Sequence, residues 1–92
     1  KIATWCEPLG ILTAWHGPGN ISPISHMANC HVSFSVTNFG IQEYSTGWTD
    51  AVREVFSATP TYKDGHIDIH DQPGLGIDVD PSLLGKPFFE IG

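Results

Sequence analysis

The sequence predicts an α/β fold with parallel strands, and only part of one. Three observations carry this. Residues 39–44, FGIQEY, read as a short strand, and residues 11–15, ILTAW, are a short apolar run without the alternation of a half-exposed strand. Strands buried on both faces of a parallel sheet look like this. Helical patterns precede each run, so the order is helix, strand, helix, strand with short joints, the rhythm of parallel α/β structure. Finally, two strands cannot close a parallel sheet or cover both of its faces. Their partners are therefore expected in other chains or in a longer parent chain.

Each element has its local reason. Residues 1–9, KIATWCEPL, read as the last turns of a helix, with Ile2, Trp5 and Leu9 on one apolar stripe and Gly10 ending it. Pro8 clashes with the preceding turn, so the helix is expected to stop before it. The ILTAW strand ends at His16, and Gly17-Pro18-Gly19 turns the backbone sharply. Asn20 or Ser22 caps the next helix, with Pro23 in its first turn. That helix covers 22–36, with Ile24, Met27, Ala28, His31 and Phe34 or Ser35 on its apolar stripe. Its few charges predict burial on much of its surface. Asn38 marks the turn, and the second strand ends in Glu43 and Tyr44.

After Gly47 the texture changes. TDAVREVF, 49–56, is a short amphipathic helix capped by Thr49 or Asp50. Asp64-Gly65 is a good hairpin turn between two short strands. Residues 71–80, DQPGLGIDVD, are glycine-rich and then alternate. Pro81 and Ser82 open a last short helix near Leu83 and Leu84. The division is thus 1–47, the strand and helix units, and 48–92, a tail.

Ninety-two residues allow one small domain. Only 15% are charged, against the usual ~25%. That scarcity, with ten glycines and seven prolines, fits a chain that packs against something larger. The net charge is −6, and residues 47–92, with eight carboxylates against Arg53, Lys63 and Lys86, account for −5 of it. No basic cluster exists, which argues against nucleic acid. No apolar run nears the ~20 residues of a membrane span. Without a signal peptide, the chain is expected in the cytoplasm, and its start at Lys1 predicts a fragment or a processed product. Cys6 and Cys30 read as buried free thiols.

Two residues stand out chemically. His16, directly after a buried strand and before a glycine turn, suits the C-terminal mouth of a barrel strand, where imidazole can exchange protons near neutral pH. A loop histidine bonded to backbone is the alternative. Glu43 ends the next strand, so both side chains could share one mouth; a surface ion pair is its alternative. The two together signal more than either alone. His26 and His31 stand about 140° apart on a helix and cannot share a metal; His31 reads as a core histidine. His66, Asp68 and His70 alternate on one strand face. Zinc there would match no strong motif, and a solvated face is favoured. PGLG, 73–76, lacks the setting of a phosphate loop.

Taken together, TAWHGPGN-ISPISHMANCHVSFSVTNFGIQEY resembles the seventh and eighth barrel units of the mandelate racemase branch of the enolase superfamily. It is most similar there to mannonate and gluconate dehydratase-like proteins, once called starvation-sensing proteins. YKDGHIDIHDQPGLGIDVD resembles the tail that follows. Residues 1–86 are covered. Thr37 departs from the family's usual proline, and KPFFEIG does not resemble the family's longer tail.

The resemblance implies the C-terminal part of a (β/α)₇β TIM-like barrel, its last two βα units, with the tail returning to an α+β capping domain. It implies a Mg²⁺-dependent sugar-acid dehydratase. In this family a proton α to the substrate carboxylate is removed, Mg²⁺ stabilises the enediolate, and a hydroxyl departs. His16 would be acid or base; Glu43 would contact the substrate carboxylate or enediolate. Both are thus catalytic and substrate-binding candidates. The Mg²⁺ ligands would lie on strands outside this sequence, so the 92 residues alone are expected to bind no metal and to be inactive. Expected partners are the sugar acid, the rest of the barrel or another chain, and an oligomeric assembly. A stand-alone, non-enzymatic and dimeric module is the competing expectation. A small zinc protein using His66 and His70 is a third.

Overall fold

The computed structural model describes residues 1–45 and 47–85. Helix α1, Ile2–Cys6, runs into a 3-10 turn at Glu7–Leu9. Pro8 is accommodated in that turn, so the regular helix does end ahead of it, and Gly10 closes the segment with a left-handed φ of 68°. Strand β1, Thr13–Trp15, leads to the glycine turn and then to α2, Pro23–Ser35. Ser22 is the cap: its hydroxyl accepts the Ser25 N–H at 3.2 Å, and Pro23 fills the first turn. Strand β2, Phe39–Gln42, pairs parallel with β1 in the register Thr13↔Phe39, Ala14↔Ile41 and Trp15↔Gln42. The unequal step between the first two pairs is an irregularity between Thr13 and Ala14.

Both strands are shorter than the runs that predicted them, because Ile11, Leu12, Glu43 and Tyr44 fall outside the ladder. The expectation of burial on both faces is corrected. Phe39 and Ile41 are exposed, Ile41 by 68%. Among the described residues, no third strand stands beside the pair. The α1 stripe is corrected for the same reason: Ile2, Trp5 and Leu9 all face outward.

The core lies on the α2 side of the strands. It contains Met27 and His26, both fully buried, with Ala3, Cys30 and Trp48. The buried positions of α2 are Pro23, His26, Met27, Cys30 and Ser33. This face is rotated from the expected stripe: Phe34 is 85% exposed and His31 only half-buried. The inward side chains include His26 and Ser33, which hydrophobic patterning does not count. Cys6 and Cys30 are free thiols, but only Cys30 is buried; Cys6 is half-buried, which corrects the expectation that both are.

Helix α3, Asp50–Val55, is capped by Thr49, whose hydroxyl accepts the Val52 N–H at 3.3 Å. Strands β3, Thr61–Lys63, and β4, His66–Asp68, form the expected hairpin. Asp64 and Gly65 both take positive φ, 51° and 80°, as a tight hairpin turn demands. The 71–80 segment folds back on α3. Ser57 N–H donates to Asp78 O at 2.9 Å and Asp80 N–H to Val55 O at 3.0 Å, around a single antiparallel bridge between Phe56 and Val79. Its alternation therefore yields one bridge, not a strand. Pro81–Leu83 is a 3-10 turn capped by Asp80. KPFFEIG, 86–92, lies outside the described residues.

Candidate active site

Parallel pairing puts the carboxyl ends of β1 and β2 side by side, and the next residue of each strand is His16 or Glu43. The structure therefore brings the two candidates together: His16 Nε2 lies 3.6 Å from Glu43 Oε2. Both side chains face solvent, 79% and 53% exposed. An exposed pair at this distance contributes little to stability, of the order of 0–1 kcal/mol. Its position at the mouth is the more informative fact.

Neighbouring groups hold the pair. Glu43 Oε2 also accepts the Gly17 backbone N–H at 2.8 Å. Asn29 of α2 donates from Nδ2 to the His16 carbonyl at 3.0 Å. Gln42 donates from Nε2 to the carbonyls of Trp15, at 3.3 Å, and Glu43, at 2.9 Å. Its Oε1 accepts the Ser33 hydroxyl at 3.0 Å.

Beneath the mouth lies His26. Its ring packs edge-on against Tyr44, with centroids 5.3 Å apart, and against Trp48, at 5.9 Å. Among the described residues neither ring nitrogen has a hydrogen-bond partner. Burial pushes its pKa down from the ordinary 6.5, and the Glu43 charge pulls it partly back up. The tail reaches this region too: Tyr44 donates to the Pro60 carbonyl at 2.9 Å and stacks on Tyr62 at 5.5 Å.

Sequence reasoning found His16 and Glu43 but passed over Gly17, Asn29, Gln42 and His26 as partners of the pair. The polar residues of α2 spaced 26, 29 and 33 were the available signal, since they recur on one helical face. The other candidate clusters do not assemble. His66 Nδ1 turns to the Asp64 carbonyl at 2.8 Å, while His70 Nδ1 stands 3.9 Å from Asp68. Among the described residues, no three His, Cys, Asp or Glu side chains are placed to hold a metal ion. The described residues therefore do not by themselves make a Mg²⁺ site. An apolar groove of about 490 Å³, bordered by Cys30, Phe34, Ile41, Tyr62 and Ile67, includes neither His16 nor Glu43. Among the described residues no helix is long and apolar enough to cross a membrane.

Comparison with known proteins places these features. Residues 1–83 match the enolase C-terminal domain-like family. A D-galactonate dehydratase family member from Pantoea ananatis is 51% identical over 86 residues, 94% of this chain and 20% of the relative. One from Musicola paradisiaca is 50% identical over the same shares. The chain thus spans about a fifth of the length of the curated relatives it matches. A crystal structure of an enolase from Pantoea ananatis with bound D-gluconate and Mg superposes with a TM-score of 0.81 at 49% identity, covering 89% of this chain and 20% of that one. An enolase of the mandelate racemase subgroup from Agrobacterium tumefaciens gives 0.75 at 26% identity, covering 89% of this chain and 22% of that one. The chain belongs to the enolase C-terminal domain-like family, in the mandelate racemase branch that its motifs from His16 to Asp80 resemble.

Proposed function

We propose that this chain is the C-terminal segment of a sugar-acid dehydratase. Residues 1–47 are the last two strand and helix units of its (β/α)₇β barrel, and residues 48–92 are a tail that packs on a capping domain. The observation that carries this reading is the meeting of His16 and Glu43, 3.6 Å apart, at the carboxyl ends of adjacent parallel strands. That end of a barrel is where such enzymes place their chemistry. The D-gluconate and Mg in the similar Pantoea ananatis enolase support the substrate class and the metal. Mg²⁺ is assigned to residues outside this sequence.

His16 exchanges a proton with the substrate. Acting as base, its imidazole takes the proton α to the carboxylate, and the C–H electron pair passes into an enediolate. Collapse of the enediolate expels the neighbouring hydroxyl with its C–O pair, and the His16 imidazolium returns its proton to that oxygen, which leaves as water. Glu43 contacts the carboxylate end of the substrate, where charge develops. Its bond from Gly17 fixes the carboxylate at that spot. The open faces of β1 and β2, bearing Phe39 and Ile41, are covered in this reading by the rest of the barrel.

The full-length protein is assayed for dehydration of D-gluconate, D-mannonate and D-galactonate. His16→Asn is expected to lower turnover about 10²–10⁴-fold, the worth of a positioned acid or base. Its thermal midpoint should stay near wild type. A stability loss with near-normal turnover per folded molecule would make His16 structural and remove it from the chemistry. A native product of only these 92 residues that folds as a dimer would favour the non-enzymatic module instead.

A further inference from the structure

The geometry points to Gln42 as a positioning residue that fixes the spacing of His16 and Glu43 by tying the carboxyl ends of β1 and β2 together. The role rests on the reading of His16 and Glu43 as the reacting pair.

Gln42 is the last residue of β2 and pairs with Trp15, the last residue of β1. Beyond that pair the ladder stops, and the carbonyls at the strand ends need donors from elsewhere. The Gln42 amide supplies them. One Nε2 hydrogen goes to the carbonyl of Trp15, the residue before His16, and the other to the carbonyl of Glu43 itself. Oε1 takes the Ser33 hydroxyl. A primary amide offers two donors and an acceptor, and all three functions are engaged. The reverse orientation would set the amide oxygen against two carbonyl oxygens, so chemistry fixes which way it lies.

The brace has a second anchor. Asn29, one turn before Ser33 on α2, donates to the His16 carbonyl. The carbonyls of residues 15 and 16 are thus each held by a side-chain amide, one from β2 and one from α2. Both side chains are exposed, so the frame sets where their backbones stand, while the Gly17 N–H grips the Glu43 carboxylate itself. No other side chain reproduces the brace. Methionine spans the length with no strong donor, and glutamate would face two carbonyls with a charge.

The test uses the full-length enzyme, with Gln42→Met, Gln42→Glu and Ser33→Ala, each alone and combined with His16→Asn. Gln42→Met and Gln42→Glu are expected to lower kcat about 10–100-fold, the scale of a displacement near 1 Å. KM should stay within about threefold, as expected when binding is spared. In the His16→Asn background the same changes should cost less than about twofold, because a group acting through His16 has little left to lose. If the Gln42 variants do not fold, Ser33→Ala carries the test. It leaves the amide but frees its oxygen, and kcat should fall about 3–10-fold as the geometry loosens. Normal kcat in the folded variants, or equal losses in both backgrounds, would overturn the role of Gln42. His16→Asn at wild-type turnover would instead sink the reading of His16, so the two failures are told apart.

Discussion

Gly17 stands so close to Glu43 that a side chain of any size would collide with it. A Cβ on Gly17 would overlap the Glu43 carbonyl oxygen and come within 2.8 Å of His26 Cε1. Gly17 also donates its N–H to Glu43 Oε2. Close approach of the two backbones and the grip on the carboxylate are therefore one arrangement. The glycine after His16 is required for space, since its φ is not in the left-handed region.

Gly17→Ala follows from this. The methyl group must push on backbone oxygen, which cannot swing away as a side-chain tip can. The variant should lose about 1–3 kcal/mol of stability, the usual cost of overpacking. Turnover per folded molecule should fall about 10–100-fold as the Gly17 N–H leaves Glu43. Denaturant titration and single-turnover kinetics on one preparation measure both. Unchanged stability would mean that the β1 and β2 ends are not in contact through Gly17.

Much of this arrangement was legible in the sequence, for physical reasons that can be named. The end of the first strand was readable because Gly17-Pro18-Gly19 breaks the apolar run sharply, whereas the second strand was read two residues too long, through Tyr44. The caps were readable because Ser22 and Thr49 carry hydroxyls where helices need acceptors. The α2 face was misread because its inward side chains, His26 and Ser33, are polar, while Phe34 points outward. A pattern scored by hydrophobicity assumes a covering layer over every apolar side chain. Phe34, Ile41 and Trp5 have none among the described residues. The Gln42 brace was not legible at all, because it joins residues 15, 33, 42 and 43 through geometry that only the parallel register creates.

His26 gives a prediction about pH. Burial holds its imidazole neutral, with a folded-state pKa below the ordinary 6.5 of the unfolded chain. Between those two values the unfolded state binds the proton and the folded state does not, so stability rises with pH. The contribution is complete above about pH 6.5 and is lost as pH falls through the folded-state value. Urea midpoints of the full-length protein from pH 8 to pH 5 should therefore fall more steeply for wild type than for His26→Leu, which has no proton to bind. Parallel curves would show that His26 titrates in the folded protein as it does in the unfolded one.

Asn38 supports the opposite ends of the same strands. The sequence marks it only as a turn, yet it is 93% buried by its 7% exposure. Its Nδ2 donates to the carbonyls of Ala3, at 3.1 Å, and Ile11, at 3.0 Å. Its own carbonyl accepts the Thr13 N–H at 2.8 Å and the Thr13 hydroxyl at 3.3 Å. One residue thus joins α1, the approach to β1 and the start of β2. Asn38→Leu fills similar space but strands two carbonyls, at about 1–3 kcal/mol for each buried group left unpaired. A loss of about 2–4 kcal/mol is expected, well beyond the ~0.5 kcal/mol of an ordinary surface change. Asn38→Asp should do no better, because a carboxylate oxygen would face both carbonyls. The strand mouths are anchored separately, through Gln42 and Asn29, so turnover per folded molecule should remain near wild type. Denaturant midpoints with activity normalised to the folded fraction test this directly. A small stability change would mean that Asn38 does not hold α1 to the strands, and a large fall in normalised turnover would mean that the two ends are not independent.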